Sequence, residues 1–262
     1  MKAYANHLNS RIFIFTCMAL GLLFFQCKKG ANANKNNNAN TATSHICGQV
    51  TGVEAIYWDL MNGIPRTDLP NGVPTVTNPG GTYIHPSFPL LTFIYPSGYT
   101  PETDQTSGAV GVNLIRNDNQ AIWRYTSIFY SGDASAQVVL NNEVAQLRAF
   151  LKSNGNVETI CSQQGSLPRA AGITSTTAAA FIRFDNFSAA LNVTITSESG
   201  LGAEQINIVT TAAPTTQFSN EILHTFLPID YQLLYKDDGE QDSDGDGYPD
   251  SQDAFPFDPT RH

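Results

Sequence analysis

Apolar and polar positions alternate along much of this chain with a period of two, the signature of strands that bury one face. Val110, Val112 and Leu114 carry the pattern, the polar Asn117-Asp118-Asn119 stretch interrupts it, and the aromatic run Ile122 to Tyr130 follows. That order predicts a hairpin. Leu191, Val193 and Ile195, then Gly200 and Gly202, then Ile206 and Ile208 predict a second one. Phe181 to Phe184 and Phe226 to Tyr235 are further strand candidates. A helical period appears once, with Asn142 as cap, Glu143 in the first turn, Val144, Leu147 and Leu151 on one face and Gly155 as terminator. A shorter helical turn is expected from Asn220 to His224, stopped by Pro228. Eight of the 14 prolines lie between Pro65 and Pro101, which excludes a long helix there and demotes any strand to an edge. The fold class is therefore mainly β, sandwich-like and antiparallel, with one or two helices, and its core lies within residues 45–235.

The N-terminus breaks this pattern. Ile12 to Phe25 is an apolar run with Thr16 as its one polar residue, and 14 helical residues span about 21 Å, short of a bilayer core of roughly 30 Å. Residues 1–26 thus read as an export signal. Residues 27–44 are Asn-rich and nearly free of apolar side chains, which predicts a flexible tether with a reach of roughly 20–25 Å. Phe24-Phe25-Gln26-Cys27 at the end of the apolar run resembles a bacterial lipoprotein signal, although the residues before the cysteine are larger than in the usual box. The resemblance implies lipidation of Cys27, a membrane partner through that lipid, and a place in the cell envelope, as an outer-membrane lipoprotein or secreted. Cys17 would leave with the signal. Cys47 and Cys161 remain, expected as a disulfide in an exported domain, with two separate buried thiols as the alternative.

Charge is concentrated at the other end. Of 23 acidic residues, nine fall between Lys236 and His262, against two basic ones. An acidic chain without basic patches argues against a nucleic-acid partner. Within the tail, Asp242, Asp244, Asp246, Asp250 and Asp253 stand at positions 1, 3, 5, 9 and 12 of a loop, with Gly247 at position 6 for the sharp turn. Hard oxygen ligands at that spacing select Ca²⁺, with the Tyr248 carbonyl as a further ligand. Pro256 and Pro259 preclude the exit helix of an EF-hand. The run DSDGDGYPDSQDAFPFDP instead resembles a bacterial thrombospondin type 3 repeat, of which this is a single copy. The resemblance implies a short, helix-free calcium-binding segment over residues 236–262, with the same aspartates as ligands.

Residues 45–235 carry no HExxH, GxSxG, phosphate loop or CxxC. His45, His85, His224 and His262 are isolated in sequence. Asp59 and Asp185 would form an acid pair only if the fold united them. The aromatics from Tyr83 to Tyr99 serve either as core anchors or as a stacking surface for sugars. The expectation is a calcium-binding envelope lipoprotein, structural, adhesive or ligand-binding and without catalysis, with a glycan or protein ligand. The alternative is a hydrolase acting on polysaccharide or another envelope polymer.

Overall fold

A computed structural model describes residues 44–64, 74–104, 108–170, 172–200 and 202–234. Seven antiparallel strands form one sheet in the order β3-β4-β5-β9-β8-β7-β6. They are β3 (Tyr99–Asp104), β4 (Ala109–Arg116), β5 (Ile122–Ser131), β6 (Glu158–Ala170), β7 (Ile173–Phe184), β8 (Phe187–Glu198) and β9 (Ala203–Pro214). Both expected hairpins are present: β4 pairs with β5 and β8 with β9. Phe181 to Phe184 ends β7. The class is mainly antiparallel β, as the alternation predicts.

Alternation sorts the side chains onto two faces, and both are covered. On the back face, Ala178, Ala180, Ile182, Leu191, Val193 and Ile208 pack against helix α2 (Ala136–Phe150). The small alanines let the helix lie close to the strands. On the front face, Val112, Leu114, Trp123, Phe181 and Val209 meet three layers of cover. These are helix α1 (Gly52–Met61), the ribbon β1 (Pro79–Ile84) with β2 (Thr92–Pro96), and a C-terminal helical run over 218–234. The Pro-rich stretch thus supplies a two-stranded ribbon and the sheet-edge strand β3, as its composition suggests.

Three local expectations are corrected. Helix α2 starts after Ser135 rather than at Asn142, so Asn141 and Asn142 ride its exposed face. Glu143 is consequently a buried mid-helix residue whose Oε1 accepts from Arg124 Nη1 (2.8 Å) and Thr210 Oγ1 (2.9 Å). Gly155 lies beyond the helix end at Leu151, and a Cβ there would collide with the Asp185 carboxylate.

Of the expected strand Phe226 to Tyr235, the described residues, through Leu234, are helical, and Pro228 does not stop the helix. Helix α3 (Phe218–Glu221) passes through a π-helical segment (Ile222–Phe226) into α4 (Leu227–Leu234). The wider turn precedes Pro228, which then sits in the first turn of α4, where a missing N–H is tolerated.

Helix α1 escapes the periodicity because Ala55 to Asp59 are five consecutive buried residues. A helix buried all round shows no amphipathic stripe. Just before it, Cys47 is joined to Cys161 in β6 by a disulfide, with Cα atoms 6.1 Å apart and a sequence separation of 114. The expected pairing is present.

Candidate functional site

The calcium ligands expected from sequence (Asp242, Asp244, Asp246, Tyr248, Asp250 and Asp253) and the lipidation site Cys27 lie outside the described residues. Among the described residues, no three His, Cys, Asp or Glu side chains gather as a metal centre would require.

The other candidates go to separate structural duties. Asp59 is fully buried; its Oδ1 accepts from the Ile46 N–H at 3.1 Å and its Oδ2 lies 2.9 Å from His45 Nδ1. Asp185, at the β7–β8 turn, accepts from Ser153 Oγ at 2.5 Å. Each carboxylate is committed to its own partners. His85 is buried, with Nδ1 accepting the Ser87 and Phe88 N–H groups. Burial lowers its pKa, against a smaller opposing contribution from the Asp104 backbone, so the ring is neutral near pH 7.

The aromatic series turns inward. Tyr83, Phe88, Phe93 and Tyr99 are buried, and Phe93 stacks edge-on to Trp123 at 5.4 Å between centroids. Tyr95 is half-buried. These rings anchor the ribbon to the sheet rather than offering a sugar platform.

A carboxyl that the sequence reading did not single out is the most perturbed. Asp230, on α4, accepts from Trp123 Nε1 (2.8 Å) through Oδ1 and from the Tyr57 hydroxyl (3.0 Å) through Oδ2. Burial pushes its pKa up to about 7, and the two hydrogen bonds pull the other way. Tyr57 is raised in turn, first by burial and then by the neighbouring Asp230 charge. Strongly shifted carboxyls mark functional sites when they face a cleft. This one is 6 % exposed and closed in by α1 and β5, so it works as a clamp between three elements. Its only trace in sequence is an acid inside an apolar run, Leu227 to Leu234.

A second clamp holds α3. Arg116 is bidentate to Asp118 and reaches Glu221 Oε1 at 2.5 Å, while Glu221 Oε2 accepts from Tyr99 and Thr225. This ties β3, β4 and the C-terminal run together.

An open site lies on the back of the sheet, where α2 stands away from β6. It is a cleft of about 440 Å³. Leu140, Val144, Val157, Ala180 and Ile182 supply its apolar surface, and Gln137, Asn141, Thr159, Ser162 and Gln164 its hydrogen-bonding groups. Gln164 Nε2 donates to Gln137 Oε1 at 2.6 Å across the mouth, and Gln137 Nε2 donates to Asn141 Oδ1 at 2.8 Å. No lining side chain is charged or titratable in the physiological range. Such a surface can pack against a ligand and exchange hydrogen bonds with it. None of its polar residues is visible as a group in the sequence, because α2 and β6 meet only through the fold.

The architecture is thus that of an antiparallel sheet covered on both faces, with a neutral cleft beside one edge. No protein-family model matches the chain, and no curated protein matches it. Among solved structures, similarity is found to the Ran-binding protein Mog1p of Saccharomyces cerevisiae, at 11% identity over 55% of this chain and 85% of that one, with a TM-score of 0.28. A Pseudomonas aeruginosa protein of unknown function, titled a putative regulator, is similar at 12% identity over 52% of this chain and 85% of that one, with a TM-score of 0.25.

Proposed function

We propose that this chain is a non-catalytic binding protein of the bacterial cell envelope, taking a ligand into the cleft between α2 and β6. The observation that carries the reading is the lining of that cleft, whose amides and hydroxyls surround an apolar floor with no acid, base or paired nucleophile among them. Ser162 and Thr159 have hydroxyls there, yet the lining holds no histidine or carboxylate to activate them. The buried acids Asp59, Glu143 and Asp230 are each engaged in holding elements together.

Two further parts of the reading come from sequence. Cys27 carries a lipid that anchors the tether, and Asp242, Asp244, Asp246, Asp250 and Asp253, with the Tyr248 carbonyl, bind one Ca²⁺ that orders the tail. Extracellular calcium modules have Kd of roughly 10⁻⁴–10⁻³ M.

The cleft is tested by screening the purified chain against immobilised glycans and peptides, with Asn141→Lys and Ser162→Lys as blocked variants. Ligands lost in both variants support the reading; ligands retained by both overturn it. Calorimetry should give one Ca²⁺ site that disappears when Asp242 and Asp246 become Ala together, and unchanged heat would refute the loop. Radiolabelled palmitate should enter the wild type and not Cys27→Ala.

A further inference from the structure

The two edges of the large sheet are built differently. Strand β3 carries Pro101, which lacks an N–H, and the charged Glu102 and Asp104. These are the usual means by which an edge is kept from pairing with another chain. Strand β6 is 13 residues long, and none of the residues from Thr159 to Pro168 is charged. Ser162 to Pro168 are all exposed, and among the described residues β6 pairs with β7 alone. Its irregularities, at Thr159/Cys161 and at Pro168/Ala170, bracket an unbroken register from Cys161 to Pro168. Every second residue of such a strand directs its backbone N–H and C=O away from its partner. At about 3.3 Å per residue, Cys161 to Leu167 offer some 23 Å of unpaired edge ahead of Pro168, which lacks an N–H.

The edge borders the cleft. Ser162 and Gln164 stand opposite Ala180 and Ala178 in register, and those alanines belong to the back face under α2. A strand laid along β6 would therefore send alternate side chains to the same side as Ser162 and Gln164, into the mouth of the cleft. We infer that β6 and the cleft together form one docking site for an extended, uncharged peptide segment of a second protein, which adds as an eighth strand. The backbone of β6 supplies affinity through main-chain hydrogen bonds. The cleft, with its Leu140 and Val144 floor and amide lip, selects apolar side chains at alternate positions. This rests on the reading of the cleft as the binding site.

A second copy of this chain is the weaker occupant. Symmetric pairing about Gln164 would join two exposed polar strands of eight residues and offer each cleft only serine and glutamine side chains from the other's β6. One strand-to-strand contact of that length buries well under the ~1,200 Å² of a standard interface. A peptide that also fills the cleft adds the apolar contact that self-pairing lacks.

The test is selection of a phage-displayed random heptapeptide library on the full-length protein. Enriched peptides should be uncharged with apolar residues at alternate positions, and should slow amide exchange between Cys161 and Leu167. Ser162→Lys, which puts an ammonium at the cleft, should weaken the selected peptide about tenfold or more. Gln163→Lys has the same charge on the same strand but stands opposite Ala179 of the front face, so it should bind nearly as the wild type. Enriched peptides that bind Ser162→Lys unchanged would overturn the site. Self-association in sedimentation, abolished by Ser162→Lys, would overturn the peptide in favour of a second copy. A glycan array hit lost in Asn141→Lys, with no peptide enriched, would refute the peptide and leave the cleft as a binding site. No ligand of either kind would refute both.

Discussion

Replacing Asp230 with asparagine keeps the size of the buried side chain and removes its titration. The amide can still accept from Trp123 Nε1 through its oxygen and donate to the Tyr57 hydroxyl through its nitrogen, so both hydrogen bonds survive. In the wild type the carboxyl moves from an ordinary value of 3.8 to about 7, mainly through burial. A difference of roughly three pH units corresponds to about 4 kcal/mol at 1.36 kcal/mol per unit. Because the folded pKa is the higher one, the native state holds a proton that the unfolded chain has already released between pH 3.8 and about 7. Stability from this group is therefore complete below pH 3.8 and declines as pH rises through 7, then levels off. His85 acts in the opposite sense below pH 6.5, because burial lowers its pKa and protonation favours the unfolded chain. Urea unfolding of wild type and Asp230→Asn at pH 5, 6, 7 and 8 separates the two, since His85 is common to both. The variant should gain on the wild type by up to about 4 kcal/mol between pH 4 and pH 8, most of it between 5 and 7. A stability difference that stays constant with pH would refute the argument, and one that shrinks would reverse its sign.

Two further outcomes are expected. Changing Cys47 and Cys161 together to Ser should lower the unfolding free energy by roughly 2–5 kcal/mol, measured as a fall in the urea midpoint, with no effect of added reductant on the variant. Glu143→Leu should cost about 3 kcal/mol because it leaves the partly buried Arg124 guanidinium without its counter-ion, with only Asn113 still accepting from it, and Arg124→Met in the same chain should recover much of the loss in the same denaturation assay.

The alternating strands were legible because each face of β4, β8 and β9 repeats every second residue. The helices were less so, for definite reasons. Burial around α1 erased its period, and Glu143 was placed in a first turn because its partners Arg124 and Thr210 are distant in sequence. Pro228 was read as a terminator because a π-helical turn ahead of it cannot be seen in a one-dimensional pattern. The cysteine pairing was legible by counting, since two cysteines remain once the N-terminal pair is set aside. The cleft was not, because Gln137, Asn141 and Gln164 are ordinary polar residues until α2 is placed over β7 and β8. The same limit hid Asp230, whose partners Tyr57 and Trp123 are 173 and 107 residues away.

The disulfide also sets the path of mechanical load. Tension applied through the segment that precedes residue 44 meets first the hydrogen bonds of His45 and Ile46 to Asp59, and then, at Cys47, the first covalent cross-link, which leads to Cys161 near the start of β6. Helix α1, which begins at Gly52, lies inside the loop that the disulfide closes, so a pull that would unwind it in the reduced chain passes instead into β6 and its ladder with β7. Oxidation thus decides whether the load falls on α1 or passes beyond it into β6.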